Sequence, residues 1–235
     1  FVFGTGGLHA SVDNEVFEAD ADYMILDVDV TSLYPSIAIE QGYYPEHLGP
    51  TFVDIYRKLR EQRVSYKKGT AENAMLKLAL NGTYGASNDQ FSVFYDPQFT
   101  MKITLGGQMM IAMLAEWLMS VGLKIIQVNT DGITLYLPRV QRSNVKHICE
   151  EWEKLTKLQL EYVEYKRMCI RDVNNYIAVK LDGSTKLKGD YEWDREWHQD
   201  HSALVVPKVA EKHLVDGAPI RETVMNWPDK YDFFM

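Results

Sequence analysis

Cysteine is scarce in this chain: Cys149 and Cys169 are the two in 235 residues. They have no metal-ligand spacing, and so few exclude a disulfide-stapled scaffold. They are expected to stay reduced, in a soluble intracellular protein (host cytoplasm if viral) rather than a secreted one. Long apolar runs are also missing. None approaches the roughly 20 residues of a membrane-spanning helix, so no membrane partner is expected. The opening residues carry no basic, Ser-rich or cleavable leader, and Phe1 stands already in mid-pattern; a piece of a longer protein is expected. Repeats and low-complexity stretches are absent. Positive charge is short as well, with 25 Lys and Arg against 33 Asp and Glu and a net charge of -8. The sum alone argues against a nucleic-acid binder, because phosphate contacts need cations. Its distribution argues otherwise. Acidic residues gather from Asp13 to Asp22 and from Asp190 to Asp200, whereas Tyr56 to Lys68 holds six basic residues and one acidic.

Two aspartates about a hundred residues apart are the most informative residues present. Asp29 follows Tyr23-Met24-Ile25-Leu26, and Asp131 follows Lys124-Ile125-Ile126-Gln127-Val128. A carboxylate at the end of a buried strand is costly unless its charge is compensated, and a divalent cation is the usual compensation. Either Asp alone reads as a turn or helix-cap residue. Two such strands side by side would bring both carboxylates to one sheet edge, as a two-metal phosphoryl-transfer site requires.

Between them, residues 51–68 and 70–86 read as two helices broken at Gly69, a helical hairpin. Arg60, Arg63 and Lys67 fall on one stripe of the first helix; Lys77, Asn81 and Tyr84 share one on the second. One charged stripe is ordinarily a solvated face. Two antiparallel stripes meeting in a cleft would neutralise a triphosphate.

The motifs in this region resemble those of family B DNA polymerases, closest to the bacteriophage type. Asp29-Val30-Thr31-Ser32-Leu33-Tyr34-Pro35-Ser36 resembles motif A. Lys77, three residues, Asn81, two residues and Tyr84-Gly85 resembles motif B. Asn129-Thr130-Asp131-Gly132 stands where motif C has Asp-Thr-Asp-Ser, so a first Asp and a Ser are replaced. The resemblance implies a template-directed DNA polymerase core that adds dNTPs to a primer 3′-hydroxyl during DNA replication. Asp29 and Asp131 would be catalytic and, with the Val30 carbonyl, would hold two Mg²⁺ ions, with Mn²⁺ as a substitute. Ser32, Leu33, Tyr34, Arg63, Lys67, Lys77 and Asn81 would bind the nucleotide, the Tyr34 ring rather than its hydroxyl excluding a 2′-hydroxyl. Tyr84, Gly85, Tyr176, Lys186 and Lys188 would touch primer–template DNA, although a solvated hairpin fits Lys186-Leu187-Lys188-Gly189 equally well. Replication accessory proteins would be further partners. Asn129 keeps alive a second reading, a catalytically impaired polymerase-like module that binds DNA or partner proteins. A divergent enzyme of reverse-transcriptase type is argued against by the Lys and Asn of motif B.

Periodicity predicts a loop-like stretch at 1–21, a strand at 22–30, a helix at 99–120 and strands at 124–128 and 133–137. A helix at 143–158, two or three antiparallel strands within 160–193 and a helix at 203–215 follow. The helix at 99–120 is apolar nearly all round and is expected to be buried, its methionines filling core. The fold class is α+β. In the family's terms it is a polymerase palm, an antiparallel sheet with helices on one face, carrying an inserted helical-hairpin fingers element. The expected division is 1–48 for the first part of the palm, 49–90 for the fingers, 91–198 for the rest of the palm, and 199–235 for the truncated start of a thumb or a C-terminal extension.

Overall fold

Alternation along one strand sorts the fold. A computed structural model describes residues 1–234, and in it residues 23–30 run through the middle of a nine-stranded sheet. Strands β1 (Val2–Phe3), β2 (Leu8–Ser11), β3 (Glu15–Glu18) and β4 (Tyr23–Val30) come first. They are followed by β5 (Lys124–Val128), β6 (Gly132–Pro138), β7 (Leu160–Asp172), β8 (Asn175–Lys180) and β9 (Thr185–Lys188). The spatial order is β1-β2-β5-β6-β4-β7-β8-β9, with β3 on β7, and every pairing is antiparallel. Successive side chains of a strand point to opposite faces. Met24, Leu26, Val28 and Val30 of β4 therefore join the main core. Ile25 joins a smaller cluster with Phe17, Ile126, Tyr165 and Met168, and Asp27 and Asp29 share its face.

The helices are α1 (Leu33–Glu40), α2 (Thr51–Ser65), α3 (Ala71–Ala86), α4 (Pro97–Ser120), α5 (Arg142–Thr156), α6 (Val205–Asp216) and α7 (Ile220–Met225). Of these, α1, α4 and α5 cover the first face. Ile37 of α1, Ile111, Leu114 and Leu118 of α4, and Val145, Cys149 and Trp152 of α5 lock onto the β4 and β6 residues of that core. The Trp152 indole N–H donates to the Met110 carbonyl at 2.9 Å, so the ring is buried without an orphaned donor. Pro97 opens α4 at its first turn, and the Asp96 carboxylate accepts from the amides of Gln98 and Phe99, both at 3.0 Å. Met110 and Met113 pack on the core, but Met109 is 64% exposed. A helix laid on one sheet always keeps an outer side, so α4 is less buried than its composition suggests. No helix among the described residues is long and apolar enough to cross a membrane.

The α+β class with an antiparallel sheet is as expected. Two expectations are corrected. Residues 1–21 are not loop-like: β1, β2 and β3 form there, because β2 finds β5 and β3 finds β7, each more than a hundred residues away. The first hairpin helix stops at Ser65, not at 68. The side-chain amide of Asn73 donates to the carbonyls of Arg63 and Tyr66 at 3.0 and 3.1 Å, capping the last turn of α2 from α3. Residues 205–234 build a small annex on Val205, Val209 and Trp227. There Lys208 and the Trp227 indole N–H both donate to Asp232, at 2.7 and 2.8 Å.

Candidate active site

Asp29 is the penultimate residue of β4, and Asp131 lies in the turn between β5 and β6. The β4–β6 register pairs Asp29 with Gly132, and the Val30 amide donates to the Asp131 carbonyl at 2.7 Å. The two motifs therefore meet at one sheet edge. Asp29 is flanked on its other side by Glu161 of β7. Above this edge lies a cavity of about 620 Å³, lined by Asp29, Val30, Ser32, Leu33, Tyr34 and Asp131 from the sheet side. The helical hairpin contributes Arg63, Lys68, Asn73, Lys77 and Asn81. Asp29 and Asp131, with Glu153 and Glu161 also on the lining, thus share one cleft with a set of cations and amides.

The carboxylates crowd each other. Burial, then the negative charges of Asp27 and Asp131, pushes the Asp29 carboxyl up to about 7. Asp131 is exposed at its turn, yet the walls around it withhold enough water to raise its carboxyl as well. No hydrogen bond from another described side chain or amide reaches the Asp29 carboxylate. Asp27, two residues earlier on the same face, is fully engaged. It accepts from Thr134 Oγ1 at 2.7 Å and Tyr165 Oη at 3.1 Å, and Lys186 Nζ lies 3.8 Å away. Burial works against the Lys186 charge, but Asp27, the two tyrosines around it and Asp29 hold its pKa above the usual lysine range.

This donor set fits a hard divalent cation. Two carboxylates and a nearby backbone carbonyl supply oxygen ligands of the type Mg²⁺ prefers. The mutual repulsion of Asp29 and Asp131 marks a place short of positive charge. Among the described residues no cluster of three or more His, Cys, Asp or Glu side chains is assembled to hold a metal. Further ligands would have to come from a substrate or from water.

At the start of α1, Ser32 adopts a left-handed conformation (φ 53°), a strained choice for a non-glycine residue and one that favours a functional reason. It turns the chain sharply from β4 into the helix, leaving the first α1 amides without intrahelical acceptors. The Arg63 guanidinium donates to the Ser32 hydroxyl, tying α2 to this turn. Tyr34 stacks on Tyr84 of α3, ring centroids 3.9 Å apart, and Tyr84 Oη lies 2.6 Å from Thr104 Oγ1 of α4.

Several residues named from the sequence are placed elsewhere. Lys67 follows the end of α2, is exposed and does not line the cavity; Lys68 does, and its ammonium pairs with Glu161 across the cleft. Arg60 turns to Glu40, 3.9 Å away, rather than to the cleft. Gly85 lies on the exposed side of α3 with open space around it. Tyr176 is buried, and the half-buried Lys186 lies over its ring at 5.8 Å from the centroid while its ammonium turns to Asp27, 3.8 Å away. Lys186 is not a solvated hairpin lysine, since the desolvated Asp27 carboxylate draws it inward. Lys188 stays exposed beside Glu192. Asn129 does not line the cavity; its amide donates to the Gln127 side chain at 3.3 Å.

Glu161 and Lys68 are cavity residues that the motifs did not single out, and Asp27 went unnoticed as well. The Asp27-Val28-Asp29 spacing, two acids on one face of an apolar strand, was the available signal. Gly132 has a clear reason: a Cβ there would sit 1.8 Å from Asp29 Oδ1. The Ser of the family pattern cannot fit this backbone unless Asp29 moves.

The fold is similar to that of a segment of a known DNA polymerase. The structure superposes on the family B DNA polymerase from the hyperthermophilic archaeon Pyrobaculum calidifontis with a TM-score of 0.55. That match covers 95% of this chain and 36% of the archaeal one at 14% identity. A sequence match independently points to a DNA polymerase: DNA polymerase 1 of Sulfurisphaera ohwakuensis is 26% identical over 147 residues, 58% of this chain. The chain corresponds to 16% of that relative's length. No protein-family model matches the chain.

Proposed function

We propose that this chain is the catalytic palm and fingers of a template-directed DNA polymerase of family B, adding dNTPs to a primer 3′-hydroxyl. The observation that carries the reading is the meeting of Asp29 and Asp131 at one sheet edge, opposite Lys77, Asn81 and Arg63 across a single cavity. The motif likeness and both polymerase comparisons support it. In this reading residues 1–48 and 91–198 form the palm, 49–90 the fingers, and 199–235 begins a thumb or C-terminal extension. The primer–template, the dNTPs and accessory proteins are the partners.

Asp29, Asp131 and the Val30 carbonyl would hold two Mg²⁺ ions, with Mn²⁺ able to replace them. Bound there, the ions lower the pKa of the attacking hydroxyl and offset charge on the leaving pyrophosphate. The rest is positioning by the chain itself. Lys77 and Asn81 present a cation and an amide to the triphosphate from α3, and Arg63 presents its guanidinium from α2. The free amides at the Ser32–Leu33 turn offer donors to phosphate oxygens. Tyr34, stacked on Tyr84, forms the floor beneath the sugar. Lys68 pairs with Glu161 on the cavity wall, so a bound triphosphate would compete with that carboxylate for its charge. Such fixed dipoles and charges supply most of the catalysis in phosphoryl transfer.

Primer extension by the full-length protein with Mg²⁺ tests the proposal. Extension that depends on template, dNTP and both aspartates is the expected result. A second reading, a DNA-binding module without chemistry, is favoured by Asn129, an uncharged amide where the family has a further Asp, and by the acidic net charge of -8. Tight primer–template binding with no extension in Mg²⁺ or Mn²⁺ would establish it instead.

A further inference from the structure

The ring of Tyr34 is held at both ends. Its face stacks on Tyr84, the planes 16° apart, while its hydroxyl donates to the Gly6 carbonyl at 3.0 Å. Gly6 lies in a tight turn closed by the Gly4 amide donating to the Gly7 carbonyl at 2.9 Å. Beneath it, the buried Gln108 side chain of α4 donates to the Gly4 carbonyl at 2.6 Å. Gly7 then presses on Thr130, the neighbour of Asp131: a Cβ added at Gly7 would lie 2.5 Å from Thr130 Oγ1 and 2.9 Å from its Cβ. The backbone of Gly7 is not in the left-handed region, so glycine is needed there for space rather than for φ. The turn thus touches both aspartate-bearing segments: the Gly6 carbonyl holds Tyr34, and Gly7 fits Thr130 only because it has no Cβ.

We infer that the turn at residues 4–7 is a specificity-determining brace, which fixes the Tyr34 ring at the floor of the nucleotide site and so sets how strictly a ribose is refused. The inference rests on the nucleotide-site reading above. A steric barrier is only as strict as its wall is stiff. With ring stacking alone, Tyr34 is free to slide over Tyr84 and to rock about its two side-chain torsions, yielding part of an ångström to a 2′-hydroxyl. An anchor on the far end of the ring removes that freedom, and a glycine seated on Thr130 keeps the anchor from drifting. The sequence alone assigned the blocking to the ring; the structure gives the hydroxyl a part in it. Gly6 and Gly7 are positioning residues and touch no reacting atom.

The test is competition between each dNTP and its rNTP on one primer–template, using the full-length protein. The Tyr34→Phe variant keeps the ring and removes the anchor, and Gly7→Ala moves the turn without touching Tyr34. Each is expected to raise the rNTP:dNTP incorporation ratio by about threefold to tenfold, the range set by one net hydrogen bond. Because both act through the same anchor, the double variant should gain little over either alone. Tyr34→Ala, which deletes the wall, should exceed all of them. A wild-type ratio in Tyr34→Phe, with a raised ratio in Tyr34→Ala, would overturn the brace and leave a plain steric gate. An unchanged ratio in Tyr34→Ala would instead overturn the nucleotide-site reading itself, and the brace with it. Tyr34→Phe adds no atoms, so the test stays decisive even where Gly7→Ala fails to fold.

Discussion

Asp27 and Asp29 stand two residues apart on one face of β4, yet they live in different chemistry. Asp27 lies in the interior of the face, where Thr134, Tyr165 and Lys186 satisfy it. Asp29 lies at the edge, unsatisfied, beside a second carboxylate and open to a cavity. A buried charge supplied with partners is part of the fold, while a charge left without them is held ready for a ligand. The interior region spends its polar groups on one another. The edge region keeps them available, at some cost in stability.

The sharpest way to break the contrast is to neutralise each carboxylate. Asp29→Asn and Asp131→Asn should each abolish primer extension, by at least about a thousandfold in rate, because the proposed reaction rests on cations held by both carboxylates. Circular dichroism should show both variants folded. Asp29→Asn should also stabilise the metal-free chain at pH 8. The folded pKa of Asp29 is raised to about 7, so the contribution of this group to stability is full below the ordinary carboxylate range and is lost as pH rises through 7. The gain in thermal midpoint should therefore shrink on acidification and vanish near pH 4. A gain that is equal at both pH values would mean that the Asp29 environment is misread.

Gly132→Ser restores the family pattern and should nonetheless harm this chain. The new Cβ would occupy the place of Asp29 Oδ1, and displacing a catalytic group by about 1 Å can cost about a hundredfold in rate. Steady-state extension would measure it, and wild-type activity would show that Asp29 has another position of equal use. Asn129→Asp, facing Gln127 rather than the cavity, should leave the rate within about threefold.

The interior pair should answer in stability instead. Asp27→Ala or Lys186→Met leaves one partner of a largely buried pair alone and should cost about 2–4 kcal/mol in a denaturant titration. The double variant should cost less than the sum of the two. Additive losses would mean that the two groups do not support each other. Smaller effects are expected from the cations above the edge. Lys77→Ala should raise the half-saturating dNTP concentration about tenfold, Arg63→Ala somewhat less, and the exposed Lys58→Ala and Lys67→Ala hardly at all. Equal losses from all four would describe a diffuse positive surface rather than a site.

Much of this was legible in the chain. Apolar runs ending in Asp29 and Asp131 located two strands to within a residue or two, because burial of one or both faces leaves a pattern in the sequence itself. Motif spacing on a helix placed Lys77 and Asn81 on one side, since helical geometry is local. The reading of Lys67 failed because the end of α2 is decided by Asn73, a capping residue on the next helix. Lys186, expected to touch DNA or to stand in a solvated hairpin, is drawn inward by Asp27, which lies about 160 residues earlier. Tyr176 is buried in a cluster with Phe17, Ile25 and Ile126, also distant in the chain.

By itself the amino-acid order determined the helices, the central strands, the alternation that turns Asp29 away from the core, and the residue types of the proposed site. Each of those depends on neighbours within a few residues, where backbone geometry sets the outcome. Tertiary structure alone decided that residues 1–21 become strands, that Gly132 and Gly7 are needed for space, and that Lys68 rather than Lys67 enters the cleft. It also decided that, of two aspartates on one strand face, Asp27 is satisfied and Asp29 is left open. Those outcomes depend on which distant groups arrive within a few ångströms, and that is fixed only when the sheet closes.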